Sequence, residues 1–206
     1  MRTAIYIDGF NFYYGAVKNT PYKWIDPKLL CQNILKPHHD IISIVYCTAL
    51  VKPKPSDPDV PLRQSTYLKA LIAHIPEIKI IRGHFLETKI LGRPTDPSKG
   101  RLIEIIKTEE KGSDVNLAVH MLNDAWKDIY DCAIVISNDS DLAESMRLVK
   151  SDCKKIVGLF TPWRRRASKQ LMAYSDFQRT IRRGALARSQ LPSPIPGTKL
   201  YKPKSW

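Results

Sequence analysis

Five short apolar runs, separated by amphipathic or polar segments, constrain this chain more than any other feature. They lie at 3–7 (TAIYI), 40–50 (DIISIVYCTAL), 77–85 (EIKIIRGHF), 132–137 and 154–160 (KKIVGLF). Each is short and most are rich in β-branched residues, so they read as buried strands. The segments between them carry helical spacing. Asp26 and Pro27 suit the cap and first position of a helix over 24–35. Leu62, Tyr67, Leu68, Leu71 and Ile72 favour one side of a helix over 62–75. Val115, Leu117, Ala118, Met121, Leu122 and Ala125 give 113–126 a broad apolar face. A further helix is expected from about Asp141 to Val149, and 168–183 reads as one or two short helices. Strands alternating with helices specify an α/β fold: a mostly parallel, five-stranded sheet covered on both faces, hence three layers, α/β/α.

Two segments fall outside that alternation. Residues 86–110 read as a polar hairpin inserted around a Gly/Pro turn. The tail at 184–206 is basic, contains several prolines and lacks periodicity, so it is expected to be irregular. It can pack on its own domain or on a second copy, which would give a homo-oligomer. The domain itself is expected over 1–183.

Charge narrows the partners. Thirty-three Lys and Arg stand against twenty Asp and Glu, a net charge of +13. From Arg164 onward eleven basic residues face Asp176 alone. Such an excess attracts polyanions, nucleic acid foremost. No apolar run has the length of a membrane-spanning helix, so no membrane partner is expected. The first apolar run is interrupted by Asp8 and lacks the form of a secretory signal, which makes the cytoplasm the expected location. Cys31, Cys47, Cys132 and Cys153 form no CxxC pair, so the spacing offers no zinc site.

In parallel α/β sheets ligands bind beyond the carboxyl ends of the strands, near the point where strand order reverses. Acids stand at those ends here. The first strand runs into Asp8 and then Asn11; the fourth runs into SNDSD, with Ser137, Asp139 and Asp141; Asp114 opens the helix between. If the first and fourth strands are neighbours, Asp8 and Asp139 meet at one sheet edge. Converging carboxylates repel, and a divalent cation such as magnesium or manganese relieves them. A basic surround then brings in a phosphate backbone. Singly, each acid also has a plainer role: Asp8-Gly9 as a turn, Asp139 as a helix cap, Asp114 as a first-turn acid on a helix dipole. The aromatic residues Phe10, Phe12, Tyr13 and Tyr14 read as core packing. Trp163 and the arginines after it, Arg164 and Arg165, follow the fifth strand and suit base stacking and phosphate contact, or else form a solvated basic turn with Trp163 tucked into the fold.

These motifs together resemble the NYN domains, relatives of the PIN-domain nucleases. The resemblance rests on YIDGFNFYY at the first strand, EKGSDVNLA at a helix start, VISNDSDL after the fourth strand, and the closing VGLF…L…YSDFQ, in order over 1–183. It implies a PIN-like fold, magnesium or manganese as cofactor, and RNA, single-stranded above all, as substrate. It further implies Asp8, Asp114 and Asp139 as principal metal ligands and Asp141 as a fourth acid. Asn11 would orient a water or phosphate, Lys111 would contact the scissile phosphate, and Ser137 would lie against the substrate. The activity implied is that of a metal-dependent (endo)ribonuclease, a hydrolase. The alternative is a catalytically inactive RNA-binding module of the same fold. An aspartyl-nucleophile phosphatase would need an acid two residues after Asp8, where this chain has Phe10. Where the family has glycine, this chain has Asn138.

Overall fold

The structure, a computed structural model, describes all residues except 97, 99, 101, 164 and 165. The arginine pair Arg164 and Arg165 thus lies outside the described residues. The chain runs β1 (Arg2–Asp8), α1 (Gly9–Phe12) continued by a π-helical turn (Tyr13–Val17), α2 (Pro27–Ile34), β2 (Asp40–Thr48), α3 (Val60–His74) and β3 (Ile78–Arg82). A hairpin follows, β4 (His84–Gly92) and β5 (Ile103–Lys111), then α4 (Ser113–Trp126) and β6 (Cys132–Ile136). A 3-10 turn (Ser140–Leu142) leads into α5 (Ala143–Ser151), β7 (Ile156–Pro162), α6 (Lys169–Ala173), β8 (Phe177–Ile181) and α7 (Arg183–Arg188).

Six strands form one sheet in the order β3-β2-β1-β6-β7-β8, and every neighbouring pair is parallel. The α/β/α architecture expected from the sequence is therefore present, with six strands in place of five. The extra strand is β8, which falls inside the stretch read as helical. Asp176 fixes it there: its N–H donates to Val157 O at 2.7 Å, and its Oδ2 accepts from Val157 N at 2.8 Å. That pairing with the sheet edge outweighs the weak helical spacing of the segment.

Alternation along β1 sends Ile5 and Ile7 to one face and Ala4 and Tyr6 to the other. The first face is covered by α1, α2, α3, α7 and the C-terminal residues, the second by α4, α5 and α6. The segment after α7 runs back over the first face. Leu191 N donates to Trp24 O at 2.8 Å, Leu191 and Ile195 are buried, and Trp206 packs on Trp24 and Tyr67. The hairpin stands apart as a two-stranded antiparallel sheet. Gly83 makes the break between β3 and β4 possible: a Cβ there would lie 2.4 Å from Lys111 O and 2.5 Å from Glu110 Oε1. On α3 the buried side chains are Tyr67, Leu68, Ala70 and Leu71, while Leu62 and Ile72 face solvent.

Candidate active site

β1 and β6 are adjacent in the sheet, with Ile7 beside Ile136 as their last registered pair. The next residues are Asp8, which closes β1, and Ser137. The chain reaches β6 only after crossing from the β3 side through the hairpin and α4, so the strand order reverses between β1 and β6. The acids thus stand where the topology places a ligand crevice.

Asp8 is almost fully buried, at 7% exposure. Its Oδ1 accepts from Asn11 N at 2.9 Å, which caps α1, and its Oδ2 accepts from the Ser137 hydroxyl at 3.0 Å. Ser137 has no exposed surface, and its Oγ also accepts from Asp139 N at 3.1 Å. One serine therefore bonds both the Asp8 carboxylate and the backbone amide of Asp139. Asp139 Oδ1 accepts from Asp141 N at 3.1 Å and caps the 3-10 turn. Burial pushes the Asp8 carboxyl above its ordinary range, against the two hydrogen bonds that lower it, and the charges of Asp139 and Glu110 push it further.

Asn11 Oδ1 accepts from Asn138 N at 3.0 Å. It ties the turn after β6 to α1. Asn138 holds the next loop in turn. Its Nδ2 donates to Arg166 O at 2.8 Å and its Oδ1 accepts from Ser168 N at 2.7 Å. Asn138 is not in the left-handed region, so its backbone does not require glycine.

The remaining expected residues are placed less centrally. Asp114 sits half-buried in the first turn of α4, and Asp141 is exposed. Lys111 is exposed and its Nζ pairs with Glu109 at 3.3 Å, so it is already engaged by a carboxylate. Ser137, expected against the substrate, is fully buried and instead bridges the acids. Trp163 is 41% exposed, and its Nε1 donates to Ala16 O at 3.4 Å. Glu110 was missed by the sequence reading. It is the penultimate residue of β5, accepts from Ser113 N at 3.1 Å at the start of α4, and adds its charge to the field at Asp8. The signal available was its position three residues before Ser113, where an acid can accept from the first amides of a helix.

Whether these groups suit a divalent cation follows from the donor set. It is all carboxylate oxygen, the donor type magnesium and manganese prefer. Among the described residues, Asp8, Asp114, Asp139 and Asp141 make no ion pair with a basic side chain. A buried carboxylate beside two other acids, with no internal counter-charge, is the electrostatic situation a cation relieves. Among the described residues no group of three or more His, Cys, Asp or Glu side chains is placed to hold a metal ion. Magnesium needs no such cage, because it keeps several waters and takes one or two carboxylates.

Comparisons with known proteins give the family and the fold of the chain. A family model for the NYN domain matches residues 2–181. A protein named 6-hydroxy-3-succinoylpyridine 3-monooxygenase HspA, from Pseudomonas putida (strain DSM 28022 / S16), is 34% identical over 235 residues, covering 100% of this chain and 75% of that protein. A solved protein of unknown function, VPA0982 from Vibrio parahaemolyticus RIMD 2210633, superposes with a TM-score of 0.55. It shares 17% identity and covers 92% of this chain and 96% of its own, so the likeness is one of fold.

Proposed function

This chain belongs to the NYN domain family, and from that premise we propose that it is a metal-dependent ribonuclease acting on single-stranded RNA in the cytoplasm. The observation that carries the reading is the acid pair at the switch point, Asp8 with the charge of Asp139 acting on it and the buried Ser137 hydroxyl bonding the Asp8 carboxylate and the Asp139 amide, in a chain of net charge +13. Asp8 and Asp139 would hold a magnesium or manganese ion directly, with Asp114 and Asp141 reaching it directly or through water. Bound there, such an ion supplies Lewis-acid activation of water and charge stabilisation at a phosphodiester. The protein's own contribution is positional. Ser137 and the Asn11 amide fix both oxygens of Asp8; Asp141 N–H orients Asp139; Asn11 and Asn138 hold the turn that carries Asp139. The basic residues concentrated after Trp163 would hold the RNA backbone, Arg164 and Arg165 among them, and Lys111 would join them on release from Glu109.

The test is cleavage of a single-stranded RNA by the wild-type chain and by Asp139→Asn, with manganese, with magnesium and with a chelator. Metal-dependent cleavage by wild type that is lost in the variant is expected. Equal cleavage by both proteins, or cleavage indifferent to the chelator, overturns the reading. Salt-dependent RNA binding without cleavage under either ion would assign the inactive module instead.

A second reading is favoured by one observation, the monooxygenase name of a relative matched over the whole chain. On that reading the substrate is a small aromatic acid hydroxylated at the expense of dioxygen and a reductant. Oxygen uptake dependent on a hydroxypyridine acid and an added reductant would support it; absence of uptake would leave the nuclease reading alone.

A further inference from the structure

A cavity of ≈ 500 Å³ opens on the α1–α3 side of the sheet. It begins at Gly9 and Phe10, the residues directly after Asp8, so the two sites share an element. Its volume lies within the usual range for a small-molecule site. Three features define what it would take.

The first is aromatic walls. Phe10, Tyr13 and Tyr14 face it from α1 and the π-helical turn, Tyr46 and Tyr67 from β2 and α3, and Trp206 from the C-terminal segment. π-Helical turns recur at functional sites because the extra residue displaces side chains from helical register. Here the turn begins at Tyr13 and Tyr14, whose rings meet edge-on at 5.3 Å. Of the aromatics read from sequence as core, only Phe12 is fully buried; Tyr14 is 45% exposed.

The second is charge. Lys18, Lys23, Lys54 and Arg63 line the cavity against one carboxylate side chain, Asp57, which Arg63 already engages. Lys18 Nζ sits 4.8 Å from the centre of the Tyr14 ring. Lys23 is half-buried and forms no ion pair among the described residues.

The third is an unused hydroxyl. Tyr46 is 6% exposed and lines the cavity, its ring packed against Gly9, where a Cβ would lie 2.7 Å from Tyr46 Cε1. Its hydroxyl has no hydrogen-bond partner among the described residues, unlike the neighbouring Tyr67, whose hydroxyl donates to Ile25 O at 2.9 Å. Its oxygen is not among the buried unpartnered polar atoms and so opens to the cavity, where a ligand atom can take its hydrogen bond.

We propose that this cavity binds a planar aromatic ring bearing an anionic group, with the ring between the aromatic walls, the anion toward Lys23 and a ring or ribose polar atom on the Tyr46 hydroxyl. A nucleotide of an RNA strand and a free small aromatic acid share this chemistry. The cavity holds either one independently of cleavage at the acid pair.

The experiment titrates the full chain, in chelator, with uridine and adenosine 5′-monophosphates, pyridine-3-carboxylate and, as a ringless anion, succinate. Binding is read by calorimetry and saturation-transfer NMR. An aromatic anion is expected to bind and succinate to fail. Tyr46→Phe is expected to weaken binding about tenfold through loss of one hydrogen bond, and Lys23→Met about tenfold through loss of the cation. Tighter nucleotide binding assigns the cavity to an RNA base; tighter binding of pyridine-3-carboxylate assigns it to a small aromatic acid. No binding of any aromatic anion at about 10 mM, equal binding of succinate, or indifference to both substitutions overturns the proposal. Lys23→Met keeps the test readable should Tyr46→Phe disturb the fold. The chelator separates this result from the nuclease reading, which is judged by RNA cleavage with metal.

Discussion

Ser137→Ala removes one oxygen from the middle of the acid pair, and its consequences are calculable. Ser137 Oγ donates to Asp8 Oδ2 at 3.0 Å and accepts from Asp139 N at 3.1 Å, with no exposed surface. A hydrogen bond to a buried carboxylate contributes about 1.5–3 kcal/mol. The half-buried Asp139 amide recovers some bonding from water, so its loss costs about 1 kcal/mol or less. The total is roughly 2–4 kcal/mol, which at about 2–4 °C per kcal/mol for a chain of this size lowers Tm by roughly 5–15 °C.

The pH dependence carries the sharper expectation. Asp8's folded pKa is raised, so the native state holds a proton at pH values where the unfolded chain has released it. Stability therefore falls as pH rises from the unfolded value through the folded one. The Ser137 bond opposes that shift, so its removal raises Asp8 further. The Ser137→Ala deficit is thus larger at neutral pH than below both values, where Asp8 is protonated in either state. Melting curves of both proteins at about pH 7 and about pH 3 measure this directly. The acidic limb of any metal-dependent activity should move to higher pH, because Asp8 must ionise to hold a cation. A Tm within about 2 °C of wild type at neutral pH, or an equal deficit at both pH values, would refute the reasoning.

Other substitutions probe the same frame. Asp8→Asn neutralises a buried charge with no basic partner, so its Tm in chelator should equal or exceed that of wild type while any manganese-induced rise disappears; a preserved rise would place the ion elsewhere. A ligand at about a hundred times its Kd contributes about 2.7 kcal/mol, which sets the wild-type rise to expect. Gly83→Ala puts a Cβ against Lys111 O and Glu110 Oε1 and should cost about 1–3 kcal/mol in urea unfolding; a neutral result would mean the hairpin base gives way freely. Asn138→Gly restores the family's residue but cuts two side-chain bonds to the 166–168 loop, so faster proteolysis in that loop and unchanged secondary structure are expected. Trp206→Ala should raise the accessibility of Tyr67 and lower Tm, because Trp206 packs edge-on against Trp24 and Tyr67.

The sequence by itself determined the layer architecture. Short apolar runs alternating with amphipathic helices can bury their faces in few ways, and the α/β/α sheet is one that satisfies all of them. The cap of α2 was equally legible, because Asp26 bonding Leu29 N is a local event written in adjacent residues. The acids at the ends of β1 and β6 could be read as a set, since the parallel fold sends both strand ends to one edge. The tertiary structure decided what depends on non-local contact. It made β8 a strand through Asp176, set the π-helical turn that brings Tyr13 and Tyr14 to a cavity, and folded the last residues over Trp24. It also bonded Ser137 to Asp8 and Asn11 to the Asn138 amide and brought Glu110 into the field of Asp8, because burial and hydrogen-bond direction follow from which strands end side by side. No spacing within a single segment contains that information.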